Sequence, residues 1–231
     1  MKAKLTFFIL LIFSGFIFYV GWTQIKIKPN SCGIVQSKIK GTSEELVIPG
    51  NYSWHWDFLI PTNAKLITFE MIPFNTNKSI SGNFQSYDVN GTYCDYLNYY
   101  FNYSISISYT PEALLNLYKE NFISNNEDLN AYLSNAADYM AQMASNYYLK
   151  RSSEDSSFNP QAVKRDELMA AISSYRDFPY LDIVIFSLTD FKLPNYNLYN
   201  KQKYQLDFNA KNESTTINSD ISSNTLTEEE L

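Results

Sequence analysis

Histidine is nearly missing from this chain: His55 is the single one in 231 residues. A multi-His zinc site and a His-Glu-x-x-His helix are therefore excluded, and a His-based triad nearly so, since only His55 could serve it. Cysteine is almost as scarce. Cys32 and Cys94 lie far apart with no Cys-x-x-Cys spacing, so no zinc or thiol-redox framework is written here. A disulfide between them is open only if the domain lies outside the cytoplasm; two buried free thiols are the alternative. Seven scattered glycines form no phosphate loop. No Asp/Asn-rich loop has calcium-site spacing. Lys and Arg number 18 against 24 Asp and Glu, giving a formal charge of −6 with no basic cluster, which argues against nucleic acid as a partner. Ser37-x-x-Lys40 matches a Ser-x-x-Lys pattern, but it falls in a predicted strand and lacks the companion motifs. The sequence thus offers no catalytic residue, no cofactor site and no metal site, and a non-enzymatic protein is expected. His55 reads as a solvated or structural side chain.

What the chain does have is apolar and aromatic mass. It amounts to 45% of the residues, enough for one domain with appendages. Leu5 to Trp22 runs eighteen residues without a charge. As a helix it reaches about 27 Å, close to the hydrocarbon thickness of a bilayer. With 1–4 as its flank, 5–22 reads as an uncleaved transmembrane signal anchor that contacts membrane lipid. A cleaved signal peptide is the rival, and Val20-Gly21-Trp22-Thr23 lacks the small residues cleavage wants. Lys2 and Lys4 favour a single pass with the N-terminus inside and the domain extracytoplasmic, although Lys26 and Lys28 weaken that bias.

The stretch from Cys32 to Pro61 organises the rest of the chain. Cys32 to Gly41 reads as a strand, Glu45 to Pro49 as its antiparallel return, and Pro49-Gly50 as a type II turn. Tyr52, Trp54, Trp56, Phe58 and Ile60 then alternate with Asn51, Ser53, His55 and Asp57, the pattern of a half-buried strand. Ile25–Lys28 reads as a short strand, Ala64 to Pro73 as another, and Asn75 to Asn83 as polar loop. Leu97 to Tyr109 alternates apolar with Asn and Ser as a long strand. Thr110-Pro111-Glu112 opens one helix, Glu127 to Arg151 forms a second with a Leu129–Tyr147 heptad-like seam, and 159–175 forms a third. Leu181 to Leu193 reads as a central strand that Pro194 stops. The expected fold is α+β, a mostly antiparallel sheet packed by two to three helices over residues 25–208. A disordered acidic tail covers 209–231.

Two sets of residues carry a family resemblance. Gly33-Ile34-Val35-Gln36-Ser37-Lys38-Ile39-Lys40-Gly41, then Pro49-Gly50-Asn51-Tyr52 and an aromatic run to Ile60-Pro61, resembles the opening of the SPFH or Band 7 domains of stomatins, prohibitins and flotillins. Phe191-Lys192-Leu193-Pro194-Asn195-Tyr196 resembles the last strand of that domain. The resemblance implies a membrane-anchored, prohibitin-like or stomatin-like scaffold or regulator of other membrane proteins. Its implied partners are like subunits in an oligomer, membrane proteases or other membrane proteins, and local lipid. The family's long C-terminal assembly helix is missing or very short in Asn195–Phe208. From the residues alone, an extracytoplasmic ligand- or lipid-binding module is the alternative, with Tyr99, Tyr103 and Trp54 as the pocket lining that would mark it.

Overall fold

The computed structural model describes residues 2–84, 97–172 and 177–197, and beyond these Asn200, Lys201, Tyr204, Phe208 and Lys211. An apolar helix, α1 (Lys2–Gly21), leads through a 3-10 turn at Gln24–Lys26 into a strand hairpin, β1 (Ser31–Ser37) and β2 (Gly41–Val47). A 3-10 turn at Trp56–Leu59 precedes β3 (Ala64–Glu70), β4 (Phe74–Asn83) and β5 (Asn98–Ser108). Then come α2 (Pro111–Lys119), α3 (Asn126–Glu154), a 3-10 turn at Pro160–Ala162, α4 (Arg165–Ala171) and β6 (Asp182–Lys192). The architecture is α+β, as expected, but its strands make two antiparallel three-stranded sheets, β2-β1-β3 and β4-β5-β6. The chain divides into two compact units: Met1–Asn77, Ser104–Met140 and Ser173–Ser187 form the first, and Lys78–Tyr103, Ala141–Ile172 and Leu188–Leu231 the second.

In the first unit β1 is the middle strand, and Cys-Gly-Ile-Val suits a strand buried on both faces. It pairs with β3 from Ser31↔Glu70 to Ser37↔Ala64, and with β2 from Gly33↔Val47 to Ser37↔Gly41, with a register slip between Ile34 and Gln36. Pro49-Gly50 is the turn the sequence implied. Gly50 has φ +92°, and Asn51 N–H closes the turn on Ile48 C=O at 3.2 Å. The Thr110 hydroxyl accepts from Ala113 N–H at 3.2 Å and caps α2, whose Leu114 and Leu117 are fully buried. Tyr118 of α2 reaches over the sheet to Gln36 at 2.9 Å. Asn126, at the start of α3, accepts from Glu70 N–H and donates to Thr68 C=O, both at 3.1 Å. That blocks part of the β3 edge, which is otherwise a template for unwanted pairing.

The second unit is built on the aromatic half of β5. Phe101 and Tyr103 are buried, Phe101 lies against Tyr148 of α3, and the Tyr103 hydroxyl meets Ser145 Oγ at 2.8 Å. Burial holds the Tyr103 phenol well above its ordinary pKa and pushes that of Tyr148 up to about 12.

Several expectations are corrected. Asn51 to Ile60 is no strand: it holds one isolated bridge, Trp54 to Trp22, and then the 3-10 turn. The alternation misleads because the aromatic set is largely outside. Tyr52 and Trp56 are 63% and 66% exposed, whereas His55, on the presumed wet face, is buried. Ile25–Lys28 is likewise no strand, since its start is a 3-10 turn. Asn75 to Asn83 is not loop but part of β4, an edge strand whose half-buried Thr76, Lys78 and Ile80 alternate with exposed Asn and Ser. β6 lies at the other edge, not the centre, and only Phe186 of it is buried. The third helix is shorter than expected, ending at Ala171, and the expected end at Tyr175 lies outside the described residues. The Leu129–Tyr147 seam, whose preferred reading from the sequence is core, is indeed buried at Leu129, Leu133, Ala136 and Met140, and the stripe is wider, taking in Ala137, Ala141, Ala144 and Tyr148. After β6, the described residues from Tyr196 to Lys211 are helical. Cys94 and, Lys211 apart, the tail 209–231 lie outside the described residues.

Candidate functional site

The candidate site lies at the foot of α1, within the first unit. Along α1 the side chains are exposed: Phe7, Leu10, Phe13 and Phe16 are each more than half accessible. The helix is long and apolar enough to cross a membrane. At its end the chain is fixed to the domain by backbone. His55 N–H donates to Gly21 C=O at 2.9 Å, Thr23 N–H to Ser53 C=O at 3.1 Å, and the Thr23 hydroxyl to the same carbonyl. The Trp54 indole lies where a Cβ on Gly21 would be, so only glycine admits this contact. Lys26 Nζ caps the helix by donating to Val20 C=O at 3.2 Å, and it sits 4.4 Å from the centre of the Phe58 ring. Phe18 stacks on Tyr52, Trp22 lies tilted against both, and Trp54 meets Trp56 edge-on.

His55 is part of this joint rather than a solvated residue. Its Nε2 lies 3.0 Å from Ser53 Oγ. Burial pushes the imidazole pKa below its ordinary value; Glu45 and Asp57 pull it back up, and Lys40 adds to the lowering.

Next to the joint is a polar knot. Ser37 Oγ accepts from Ile39 and Lys40 N–H, each at 3.3 Å, and from Asn63 Nδ2 at 3.2 Å, and it donates to Asp57 at 3.4 Å. Lys40 Nζ pairs with the other Asp57 oxygen at 3.3 Å. Ser37 and Lys40 do come together, but the ammonium is held by Asp57 and the hydroxyl is spent on structural bonds.

Beside the knot opens a cleft of about 490 Å³ lined by Gln36, Ser37, Lys38, Thr62, Asn63, Ala64 and Lys65. A second, of about 300 Å³, shares Gln36 and Lys65 with it and adds Lys119, Asn121 and Ser124. Of the aromatic residues named as a possible pocket lining, Tyr103 is 1% exposed in the second unit, and Trp54 packs on Gly21 in the first. Cys32 is buried with a free thiol, whose pKa burial raises to about 11, so it remains protonated and inert. No group of three or more His, Cys, Asp or Glu fit to hold a metal occurs among the described residues.

The Lys38–Lys65 cleft was missed by sequence reasoning, although a signal was present. Ile48-Pro49-Gly50-Asn51 and Ile60-Pro61-Thr62-Asn63 are the same turn twice, with threonine in the glycine place of the second. The structure bears the parallel out. Asn63 N–H closes on Ile60 C=O at 3.2 Å, and Thr62 has φ +61°.

No protein-family model matches the chain. A segment of 58 residues is 34% identical to part of an uncharacterized protein of Treponema pallidum (strain Nichols), covering 25% of this chain and 20% of that protein. The chain therefore aligns with about a fifth of that relative's length, and the relative's name carries no activity to transfer.

Proposed function

We propose that this protein is a membrane-anchored, non-enzymatic scaffold or regulator of other membrane proteins, of SPFH/Band 7-like character. The observation that carries the reading is the joint between α1 and the domain. An apolar helix with exposed side chains ends in a set of backbone bonds and an indole packed on Gly21, so whatever holds α1 also fixes the domain at that surface. In this reading α1 crosses the membrane once with its N-terminus inside. Tyr19, Trp22 and Tyr52 then sit at the headgroup level, where amphipathic rings are favoured. The SPFH character rests on the Gly33–Gly41 and Pro49–Tyr52 motifs, which fall on the β1–β2 hairpin and its following turn, and on Leu193-Pro194 directly after β6. A partner-binding surface is supported by β6, an edge strand with Val184 and Ile185 each half exposed.

The test is photocrosslinking from position 185 of the full chain in native membranes. The expected result is capture of a reproducible set of membrane proteins. Crosslinks to lipid and nothing else would contradict the scaffold reading. The alternative, a ligand- or lipid-binding module, is favoured by one observation, the lysine-lined cleft beside the joint.

A further inference from the structure

We propose that the cleft between Lys38 and Lys65 binds a phosphate group, held by the two ammonium groups and the Thr62 hydroxyl. Three independent observations converge on it. The first is charge. The protein carries a net −6, yet neither this cleft nor the one adjoining it is lined by a single acidic residue, and together they present Lys38, Lys65 and Lys119. Asp57, the carboxylate that touches Ser37, is 15% exposed and already paired with Lys40. Lys119 is the weakest of the three, because Glu44 lies 3.7 Å away. Point-charge ammonium groups with flexible stems are suited to a phosphate of unfixed orientation.

The second is size. At about 490 Å³ the cleft is in the range of small-ligand sites and holds a phosphate with the group that bears it.

The third is backbone strain at Thr62. A β-branched residue at φ +61° is an outlier, and the type II turn it occupies is served by glycine elsewhere in this same chain, at Gly50. Glycine would relieve Thr62 without changing the turn. A strained threonine where glycine would be relaxed points to a task for its side chain, and Thr62 lines the cleft.

The chemistry has two sources. Asp57 follows two residues after His55, which is bonded to the last residue of α1, so the cleft lies within about 20 Å of the helix end by the reach of the chain. A phospholipid headgroup and a free phosphorylated molecule are both within range. The phosphate site does not depend on the scaffold reading, and its soluble arm does not depend on α1 crossing a membrane.

The test uses the full chain in phosphate-free buffer. In mild detergent it is titrated with inorganic phosphate and with glycerol phosphate; in phosphatidylcholine nanodiscs it is compared with discs containing phosphatidylglycerol, reading methyl-lysine chemical shifts. The expected result is a saturable shift at two lysines. Affinity, read for the variants by isothermal titration calorimetry because the substituted positions carry no methyl-lysine signal, should be weakened at least tenfold in Lys38→Ala/Lys65→Ala, retained in Lys38→Arg/Lys65→Arg, and unchanged by Lys164→Ala at the exposed start of α4. Saturation by soluble phosphates assigns a free ligand, and saturation only in the anionic discs assigns a headgroup. No saturable shift in any arm, or equal binding by the double alanine variant, overturns the site. Thr62→Gly should raise the ligand-free Tm by about 2–4 °C and weaken binding severalfold. An unchanged Tm overturns the strain argument, and unchanged binding overturns the hydroxyl contact.

Discussion

His55, read from the sequence as a solvated or structural side chain, is structural. Its neighbours in sequence alternate as a strand would, which places it in water; its backbone N–H is instead bonded to the end of α1 and its ring is buried beside Ser53. With its pKa lowered below the unfolded value of about 6.5, the imidazole takes up a proton more readily in the unfolded chain. The stability it allows is full above that pH and is lost as pH falls through it. The wild type should therefore lose Tm between pH 7.5 and 5.5, and His55→Gln should lose less over the same span. Asp155, held below its ordinary value by the Ser157 hydroxyl and N–H, adds its loss only at lower pH, in the carboxylate range. Equal slopes in the two proteins would show that His55 does not titrate in the joint.

At the scale of elements, turns and caps were legible because their chemistry is local. Pro49-Gly50 specifies its own φ values, and Thr110-Pro111 caps α2 with atoms three residues away. Gly50→Val puts a β-branched side chain at φ +92° with open space around it, so strain alone decides the outcome. The cost should be about 1–3 kcal/mol, read as a lower Tm; a variant melting with the wild type would show that the turn relaxes. Strand assignments that failed did so for a non-local reason. Tyr52 to Ile60 has a strand's period, but Trp54 is claimed by Gly21, some thirty residues earlier, and Asp57 by Lys40, so the segment folds around the helix end instead of joining a ladder. Conversely, the Asn, Ser and Thr of β4 looked like loop because an edge strand needs only one modestly buried face. The cleft was invisible for a third reason: Lys38 and Lys65 are brought together by the β1–β3 register, which no local pattern encodes.

For the whole molecule, the α+β class was readable from the strand and helix periods, whereas the division of the strands into two sheets was not. The buried stripe of α3 bears on assembly. Leu129, Leu133, Ala136 and Met140 are committed to the interior, so they are not available to a partner subunit. Self-association is left to the exposed edges, and a standard stable interface buries about 1,600 Å² in all. The full chain in detergent at micromolar concentration should sediment as a monomer or a weak oligomer, with the membrane supplying effective concentration by confinement. A stable ring of many subunits in detergent would place an assembly surface on the faces of β6 or in the helical residues after it.

The central claim is that α1 holds the domain in the membrane as one intact chain. Alkaline carbonate and high-salt extraction of native membranes, followed by intact mass measurement, tests it most directly. The account predicts the protein in the pellet, with a mass that includes Met1 or begins at Lys2. A soluble protein whose mass begins near Thr23 would contradict it.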